Sequence, residues 1–188
     1  MAEMVSSNDF KNGMTILWDD SIYQILEFQH VKPGKGQAFV RTKMKNLRTG
    51  STIEYSFQNG IKIEVAQIEK KKMQYIYNTG SSCAFMDTET YEQVEIDNER
   101  LTWELNFMTE GMEVLIVDYE GEILNIIIPE KVEIKVSECD PNVRGNSTQN
   151  PQKGAVLETG YKILVPLFIN EGDVIIVNTN EGKYCSRA

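Results

Sequence analysis

The sequence predicts an all-β protein assembled from several small barrels. Short runs alternate apolar and polar side chains along most of the chain, which is the period expected of half-buried strands. Turn residues interrupt these runs at short intervals, a pattern that suits several small β modules better than one 188-residue domain. No stretch approaches the roughly 18 consecutive apolar residues that a transmembrane helix requires.

Residues 1–65 are predicted to form the first of these modules. Its apolar runs are separated by turns such as Asp19-Asp20 and Asn59-Gly60. On either side of the second turn, residues 53–57 and 61–65 alternate apolar and polar positions strictly. Short antiparallel strands in a module of this length predict a small SH3-like barrel.

Residues 66–129 are predicted to form a second barrel of the OB type. Five strand-like runs and one helical pattern lie in this stretch, a combination typical of that fold. The predicted strands cover residues 73–78, 84–87, 91–94, 113–119 and 122–128. Leu101, Leu105 and Met108 have helical spacing, so a short helix is predicted over residues 100–108.

Residues 130–188, which follow a break at Pro129, are predicted to form a third barrel, also of the OB type. The predicted strands cover residues 132–136, 155–157, 161–165, 174–177 and 183–185. Positions 140–151 are mostly polar. A long polar loop in a small β module is typically a binding loop or a tether.

The charge of the chain is distributed unevenly. The whole sequence has a net charge of -9, which taken alone argues against a nucleic-acid partner. Residues 66–128 contain 13 acidic and 4 basic side chains, whereas residues 1–65 contain 7 acidic and 8 basic ones. Screening limits repulsion to about 10 Å at moderate salt, so the acidic middle third leaves the first module free to meet a polyanion.

The first module presents a lysine between two glycines. Pro33-Gly34-Lys35-Gly36 lies between two strand-like runs and is predicted to be the tip of a hairpin. Pro33 fixes its own φ, and both glycines permit positive φ, so the chain can turn tightly. For an isolated Gly-Lys-Gly, a solvated turn in which the lysine only aids solubility would be the better explanation. The neighbouring charges favour a binding role.

Six basic residues and no acidic ones lie between Lys32 and Arg48. Residues two apart in a strand share a face, so Arg41, Lys43 and Lys45 are predicted to form a basic stripe that leads away from the tip. Such a stripe is an electrostatic footprint for phosphate groups.

Cysteine usage and the first residues predict a cytoplasmic protein. Cys83, Cys139 and Cys185 are odd in number and far apart, which favours free thiols over disulfides or a zinc site. Residues 1–6 have neither the basic nor the apolar region of a secretory signal.

No arrangement of residues predicts an active site. His30 is the only histidine, and a single imidazole at a strand end is more often structural or exposed than catalytic. Asp87, Glu89 and Glu92 are interpreted as a solvated face. We therefore expect no enzyme activity, no cofactor and no metal. Both tryptophans, Trp18 and Trp103, are expected in barrel cores.

Several motifs, in the same order along the chain, resemble the bacterial elongation factor P family. They cover residues 7–13, 32–39, 85–93, 157–160 and 165–173. The resemblance implies an L-shaped, tRNA-like protein with a KOW-like N-terminal barrel and two OB barrels. It further implies a translation elongation factor that enters the ribosome between the P and E sites and promotes peptide-bond formation at consecutive prolines.

The resemblance also implies the site residues. The apical residue that the family modifies falls on Lys35, and Pro33, Gly34 and Gly36 hold its loop. Contacts with tRNA or ribosomal RNA are expected from this loop and from further residues, namely Lys32, Pro33, Gly34, Lys35, Gly36, Arg41, Lys43, Lys45, Arg48, Arg144, Gly145, Asn146, Tyr184 and Arg187. Tyr184 and Arg187 match a terminal Tyr-x-x-Arg, although barrel packing would explain Tyr184 equally well. The run Gly145-Asn146-Ser147 departs from the usual Gly-Asp-Thr.

The implied partners are the ribosome at its P/E site, peptidyl-tRNA, ribosomal RNA and a lysine-modifying enzyme, with no membrane partner. A monomer is expected. Two alternatives stay open at the level of sequence. One is a general single-stranded nucleic-acid-binding OB-fold protein, which the acidic second module disfavours. The other is an enzyme with an unrecognised site.

Overall fold

A computed structural model describes residues 3–142 and 151–188, which form three antiparallel-rich sheets. The first sheet has six strands in the order β1-β6-β2-β3-β4-β5. Their bounds are β1 Met4–Ser6, β2 Thr15–Trp18, β3 Ser21–Val31, β4 Phe39–Asn46, β5 Thr52–Gln58 and β6 Lys62–Val65. A 3₁₀ turn at Ser7–Asp9 follows β1.

The first sheet encloses an aromatic and aliphatic core. This core consists of Phe10, Ile16, Tyr23, Ile25, Val40, Met44, Phe57 and Ile63. The Asp19-Asp20 turn that was predicted between β2 and β3 has positive φ at both residues, 50° and 54°, as a tight hairpin turn requires. A β-bulge at Leu26 lets β3 continue to pair with β4.

The second sheet has five strands in the order β11-β10-β7-β8-β9. Their bounds are β7 Glu69–Asn78, β8 Ser82–Asp87, β9 Gln93–Asp97, β10 Glu113–Tyr119 and β11 Glu122–Ile127. The bounds predicted for β10 are those observed. The predicted run at residues 91–94 instead begins at Gln93, because Tyr91 adopts φ 60° in the turn that precedes it.

The third sheet has five strands in the order β14-β13-β12-β15-β16. Their bounds are β12 Lys131–Cys139, β13 Gln152–Leu157, β14 Lys162–Pro166, β15 Val174–Asn178 and β16 Lys183–Arg187. The core of this sheet is aliphatic except for Phe107, which reaches it from the preceding part of the chain.

The all-β class is confirmed, but the helix predicted over residues 100–108 is wrong. Within the described residues this stretch contains only two single 3₁₀ turns, at Asn98–Arg100 and Glu104–Asn106. A short segment gains few hydrogen bonds for the cost of starting a helix, so burial of Leu101 and Phe107 decides its conformation instead. No helix in the described part of the chain is long and apolar enough to cross a membrane.

The prediction that both tryptophans lie in barrel cores is wrong for Trp103. Trp18 packs, partly buried, against the core of the first sheet. Trp103 is 42% exposed and lies across Phe107 and Tyr161 with ring-centroid distances of 5.1 Å and 6.2 Å. Its indole Nε1 donates a hydrogen bond to the Thr179 carbonyl, which satisfies the polar edge.

The chain divides into two compact units that do not follow the order of the sequence. One unit contains residues 1–70 together with residues 116–125, and the other contains residues 71–115 and 126–188. The tip of the β10–β11 hairpin is therefore part of the unit that the first sheet builds.

Candidate nucleic-acid interface

The β3–β4 hairpin carries the loop around Lys35. The last strand pairs are His30 with Val40 and Val31 with Phe39, so residues 32–38 extend beyond the ladder. Residues 32–37 are all exposed. The loop therefore presents the predicted tip to solvent, as its Pro-Gly-Lys-Gly sequence indicates.

Only one of the two glycines uses the freedom predicted for both. Gly36 has φ 120°, a conformation that strains other residues, while Gly34 stays outside the left-handed region. Open space surrounds the position that a Cβ of Gly34 would occupy. The two glycines thus have different roles. Gly36 allows the backbone conformation of the turn, and Gly34 leaves one side of the tip free of a side chain.

Lys35 is the apical cation of this loop. Among residues 3–142 and 151–188, its ammonium group has no hydrogen-bonding or ion-pairing partner. The amine is consequently free to meet an anionic or polar ligand, or to be modified.

A buried serine that the sequence did not point to supports the base of the loop. The Ser7 hydroxyl donates to the Gln58 carbonyl at 2.8 Å and accepts from the Gly60 amide at 3.0 Å. In the same turn, the Asn59 amide donates to the carbonyl of Ala38, the last loop residue, at 3.1 Å. Ser7 therefore fixes the turn against which the loop ends. Only its place in the 7–13 motif could have signalled this role.

Strand β4 has the predicted alternation. Arg41 and Lys43 are exposed and Lys45 is half-buried, while the intervening Thr42 and Met44 are fully buried. The basic side chains therefore share the outer face of the sheet.

The basic stripe is not uniformly positive. Lys43 lies opposite Glu27 on β3 and opposite Glu54 on β5, so neighbouring carboxylates offset its charge. Arg41 lies opposite Gln29 and Ser56, which are uncharged. Lys45 likewise lies opposite the uncharged Gln24 and Thr52, so the carboxylates offset only the charge of Lys43 within this stripe.

Arg48 is engaged within the protein. Its Nε and Nη2 donate to the two carboxylate oxygens of Glu122, each at 2.9 Å, and its Nη1 donates to the Asp20 carbonyl at 3.0 Å. The hydrogen bonds to Glu122 raise the pKa of the Arg48 guanidinium. Its predicted role as an RNA ligand stays a prediction, and its geometry points to a different one.

The C-terminal residues of the predicted interface also have internal contacts. Tyr184 lies partly buried against the core of the third sheet. Arg187 Nη2 donates to Asp173 Oδ1 at 3.2 Å, in a pair that stays largely exposed on the arginine side. Arg144, Gly145 and Asn146 lie outside the described residues.

The carboxylates predicted as a solvated face include one that shapes a turn. Asp87 Oδ1 accepts hydrogen bonds from the Glu89 and Thr90 amides at 2.8 Å and 3.0 Å, which lowers the pKa of Asp87. Within the described part of the chain, no three His, Cys, Asp or Glu side chains are grouped so that they could hold a metal ion.

Three family profiles match the chain in succession. The Elongation factor P (EF-P) KOW-like domain matches residues 6–63, the EF-P OB domain matches residues 68–126, and the Elongation factor P C-terminal profile matches residues 132–187. The chain belongs to the elongation factor P family. Elongation factor P proteins are translation factors rather than classical enzymes, and their KOW-like and OB domains confirm the predicted fold class.

Two solved structures share the fold of this elongation factor P family member over about two thirds of its length. Eukaryotic translation initiation factor 5A from Methanococcus jannaschii is 25% identical with a TM-score of 0.53, and the match covers 67% of this chain and 97% of that one. A translation initiation factor eIF-5A family protein from Naegleria fowleri is 16% identical with a TM-score of 0.50 and coverages of 68% and 99%. The second likeness concerns the fold alone.

Proposed function

We propose that this protein is a cytoplasmic elongation factor that binds the ribosome between the P and E sites and promotes peptide-bond formation at consecutive prolines. The observation that carries the proposal is Lys35, an unpartnered cation at the exposed tip of the β3–β4 hairpin in an elongation factor P family chain. A narrow tip of this kind suits the crowded space around the acceptor end of a tRNA.

The mechanism is positioning rather than acid-base chemistry. Peptidyl-prolyl tRNA reacts slowly, and holding its reacting end in the productive orientation lowers the entropic part of the barrier. Lys35 supplies the contact at the acceptor end, Pro33, Gly34 and Gly36 hold the loop, and Lys32 adds a further positive charge beside it. The ribosome remains the catalyst.

Binding to RNA phosphates is assigned to the outer face of β4. Arg41 is the strongest candidate because it is exposed and its cross-strand neighbours are neutral, whereas Lys45 is half-buried and Lys43 lies opposite Glu27 and Glu54. Tyr184 and Arg187 offer a further contact at the C-terminal end, and residues 144–146 complete the proposed set.

Lys35 is also the proposed target of a lysine-modifying enzyme. Its exposure and lack of a partner leave the amine accessible. An added group that retains an amine would extend the reach of the tip while preserving its positive charge. The protein acts as a monomer in this proposal.

Translation of a Pro-Pro-Pro stretch in a reconstituted system tests the proposal. We expect the protein, isolated from its native cells so that any modification is present, to accelerate synthesis through the prolines and not through a control stretch. Lys35→Ala should remove most of this acceleration. Lys62→Ala, an exposed lysine of β6 in the same unit, is the matched control and should retain it.

Two results would contradict the proposal. Acceleration that survives Lys35→Ala would remove the tip from the mechanism. Binding to single-stranded RNA without any effect of the proline stretch would favour the general nucleic-acid binder instead.

A further inference from the structure

Arg48 lies where three turns of the first unit meet. It belongs to the turn after β4, its Nη1 contacts the carbonyl of Asp20 in the β2–β3 turn, and its other donors hold Glu122 beside the β10–β11 turn. Residues 20, 48 and 122 are thus joined by one guanidinium group. A planar guanidinium that donates two parallel hydrogen bonds to Glu122 and a third to Asp20 fits this place better than the single ammonium of a lysine.

The main chain at each side of this contact is fixed. Asn46 Oδ1 accepts hydrogen bonds from the Arg48 amide at 2.8 Å and the Thr49 amide at 3.1 Å. Across the contact, Asp118 Oδ1 accepts from the Gly121 amide at 3.1 Å. Both Asn46 and Asp118 are buried, so neither turn can readily change shape.

An apolar cluster lies beneath the contact and supplies the attraction between the parts. It is formed by Ile22, Leu47, Ala66, Val117 and Leu124, with Leu17, Ile68 and Tyr119 packed against it. Aliphatic packing tolerates small rotations, whereas a bidentate ion pair fixes direction. The Arg48 and Glu122 side chains are 37% and 50% exposed, so their pair adds little stability and its contribution is geometric.

The position of Arg48 makes its geometry matter at the tip. Arg48 follows the end of β4, and the Lys35 loop precedes the start of that same strand. Eight strand residues span about 26 Å, so a rotation of about 5° at Arg48 would displace the tip by about 2 Å relative to the β10–β11 hairpin. Misplacement on this scale is large for a group that positions a reacting centre.

We infer that Arg48 and Glu122 form a pin that fixes the β10–β11 hairpin on the first sheet, and that Arg48 is a positioning residue for the Lys35 tip rather than an RNA ligand. The positioning part of this inference rests on the function proposed above. The pin itself rests only on the contacts within the first unit.

Titration of the Pro-Pro-Pro reaction with Arg48→Met, Glu122→Gln and the double variant tests the positioning role. We expect each single variant to lower the maximal acceleration about 3- to 10-fold, with the half-saturating protein concentration changed by less than about twofold. The double variant should lose no more than either single one, because both remove the same contact.

Two other patterns would overturn the positioning role. An RNA ligand predicts weaker binding for Arg48→Met, a salt dependence reduced by about one ion, and no loss for Glu122→Gln. A purely structural role predicts that a larger amount of each variant restores the full maximal acceleration, because part of the protein is unfolded.

A second ion pair provides the matched control. Lys72 Nζ lies 2.8 Å from Glu113 Oε2, and both side chains are at least as exposed as those of Arg48 and Glu122. Lys72→Met and Glu113→Gln remove the same types of charge without touching the pin. Both should leave the maximal acceleration unchanged, and an equal loss in these variants would overturn the inference.

Amide hydrogen exchange tests the pin separately from function. Residues 116–125 should exchange several times faster in Arg48→Met and Glu122→Gln than in the wild type, and unchanged exchange would overturn the pin. If the wild type fails to accelerate Pro-Pro-Pro synthesis, the proposed function fails. The exchange result then still decides whether Arg48 holds the hairpin.

Discussion

The β10–β11 hairpin tip and the segment at residues 101–108 are attached to their units in opposite ways. The hairpin contributes two aliphatic side chains, Val117 and Leu124, and is joined at its surface by the Arg48–Glu122 pair. The 101–108 segment instead inserts the fully buried ring of Phe107 into the core of the third sheet. The difference indicates that one attachment gives direction and the other gives stability.

Polar contacts have different positions in the two attachments. At the hairpin, the charged hydrogen bonds lie at the exposed margin. At the 101–108 segment, the Thr159 hydroxyl donates to the Asn106 carbonyl at 2.6 Å, and the Trp103 indole donates to the Thr179 carbonyl at 2.9 Å. These bonds lie on either side of the aromatic group formed by Trp103, Phe107 and Tyr161. They therefore hold the 101–108 segment against the third sheet.

The strongest test of this comparison is Phe107→Ala. Removing a ring from a closed core costs its transfer free energy and leaves a cavity, so we expect a loss of about 3–5 kcal/mol from the unit that contains the third sheet. Urea unfolding followed by Trp103 fluorescence in a Trp18→Phe background measures it. Phe168→Ala, whose ring is 60% exposed, is the control, and a similar loss there would contradict the assignment.

Leu124→Ala should have the next largest effect. It truncates a buried side chain of the hairpin cluster, and we expect a loss of about 2–4 kcal/mol from the first unit. Trp18 fluorescence in a Trp103→Phe background reports that unit. Leu115→Ala on the other strand of the hairpin, β10, is the control, since Leu115 is 37% exposed. If the unfolding midpoint reported by Trp18 were unchanged in Leu124→Ala, the hairpin would add no stability to the first unit.

The smallest effect is expected for Trp103→Phe. The change removes the hydrogen bond to the Thr179 carbonyl but keeps an aromatic ring over Phe107, so we expect a loss of about 1 kcal/mol. Thermal unfolding by calorimetry measures it against the wild type. A loss as large as that of Phe107→Ala would mean that the exposed indole, not the buried ring, carries the attachment.

Local features of the fold were predictable from the sequence. The alternation of Val40 to Lys45 placed the basic side chains on one face, and the Asp19-Asp20 turn and the bounds of β10 follow from turn residues and period. The proposed tip was found in the same way, because Pro33 and the two glycines mark a turn by themselves.

The features that the sequence did not predict depend on contacts between residues far apart in the chain. Glu122 is 74 residues from Arg48, and no local pattern pairs them. The offset of Lys43 by Glu27 depends on the bulge at Leu26, which sets the register. Helical spacing over residues 100–108 predicted a helix because the pattern does not reveal that Phe107 packs into another sheet.

The first unit is built from two separate parts of the chain, residues 1–70 and 116–125, and this matters during synthesis. Ile22 and Leu47 are synthesised long before Val117 and Leu124, with which they share a cluster. At about 5–20 residues per second, the interval between residues 70 and 125 lasts roughly 3–11 seconds. During that time the nascent first sheet exposes a bare aliphatic patch, which would make it a transient client for chaperones that bind emerging chains.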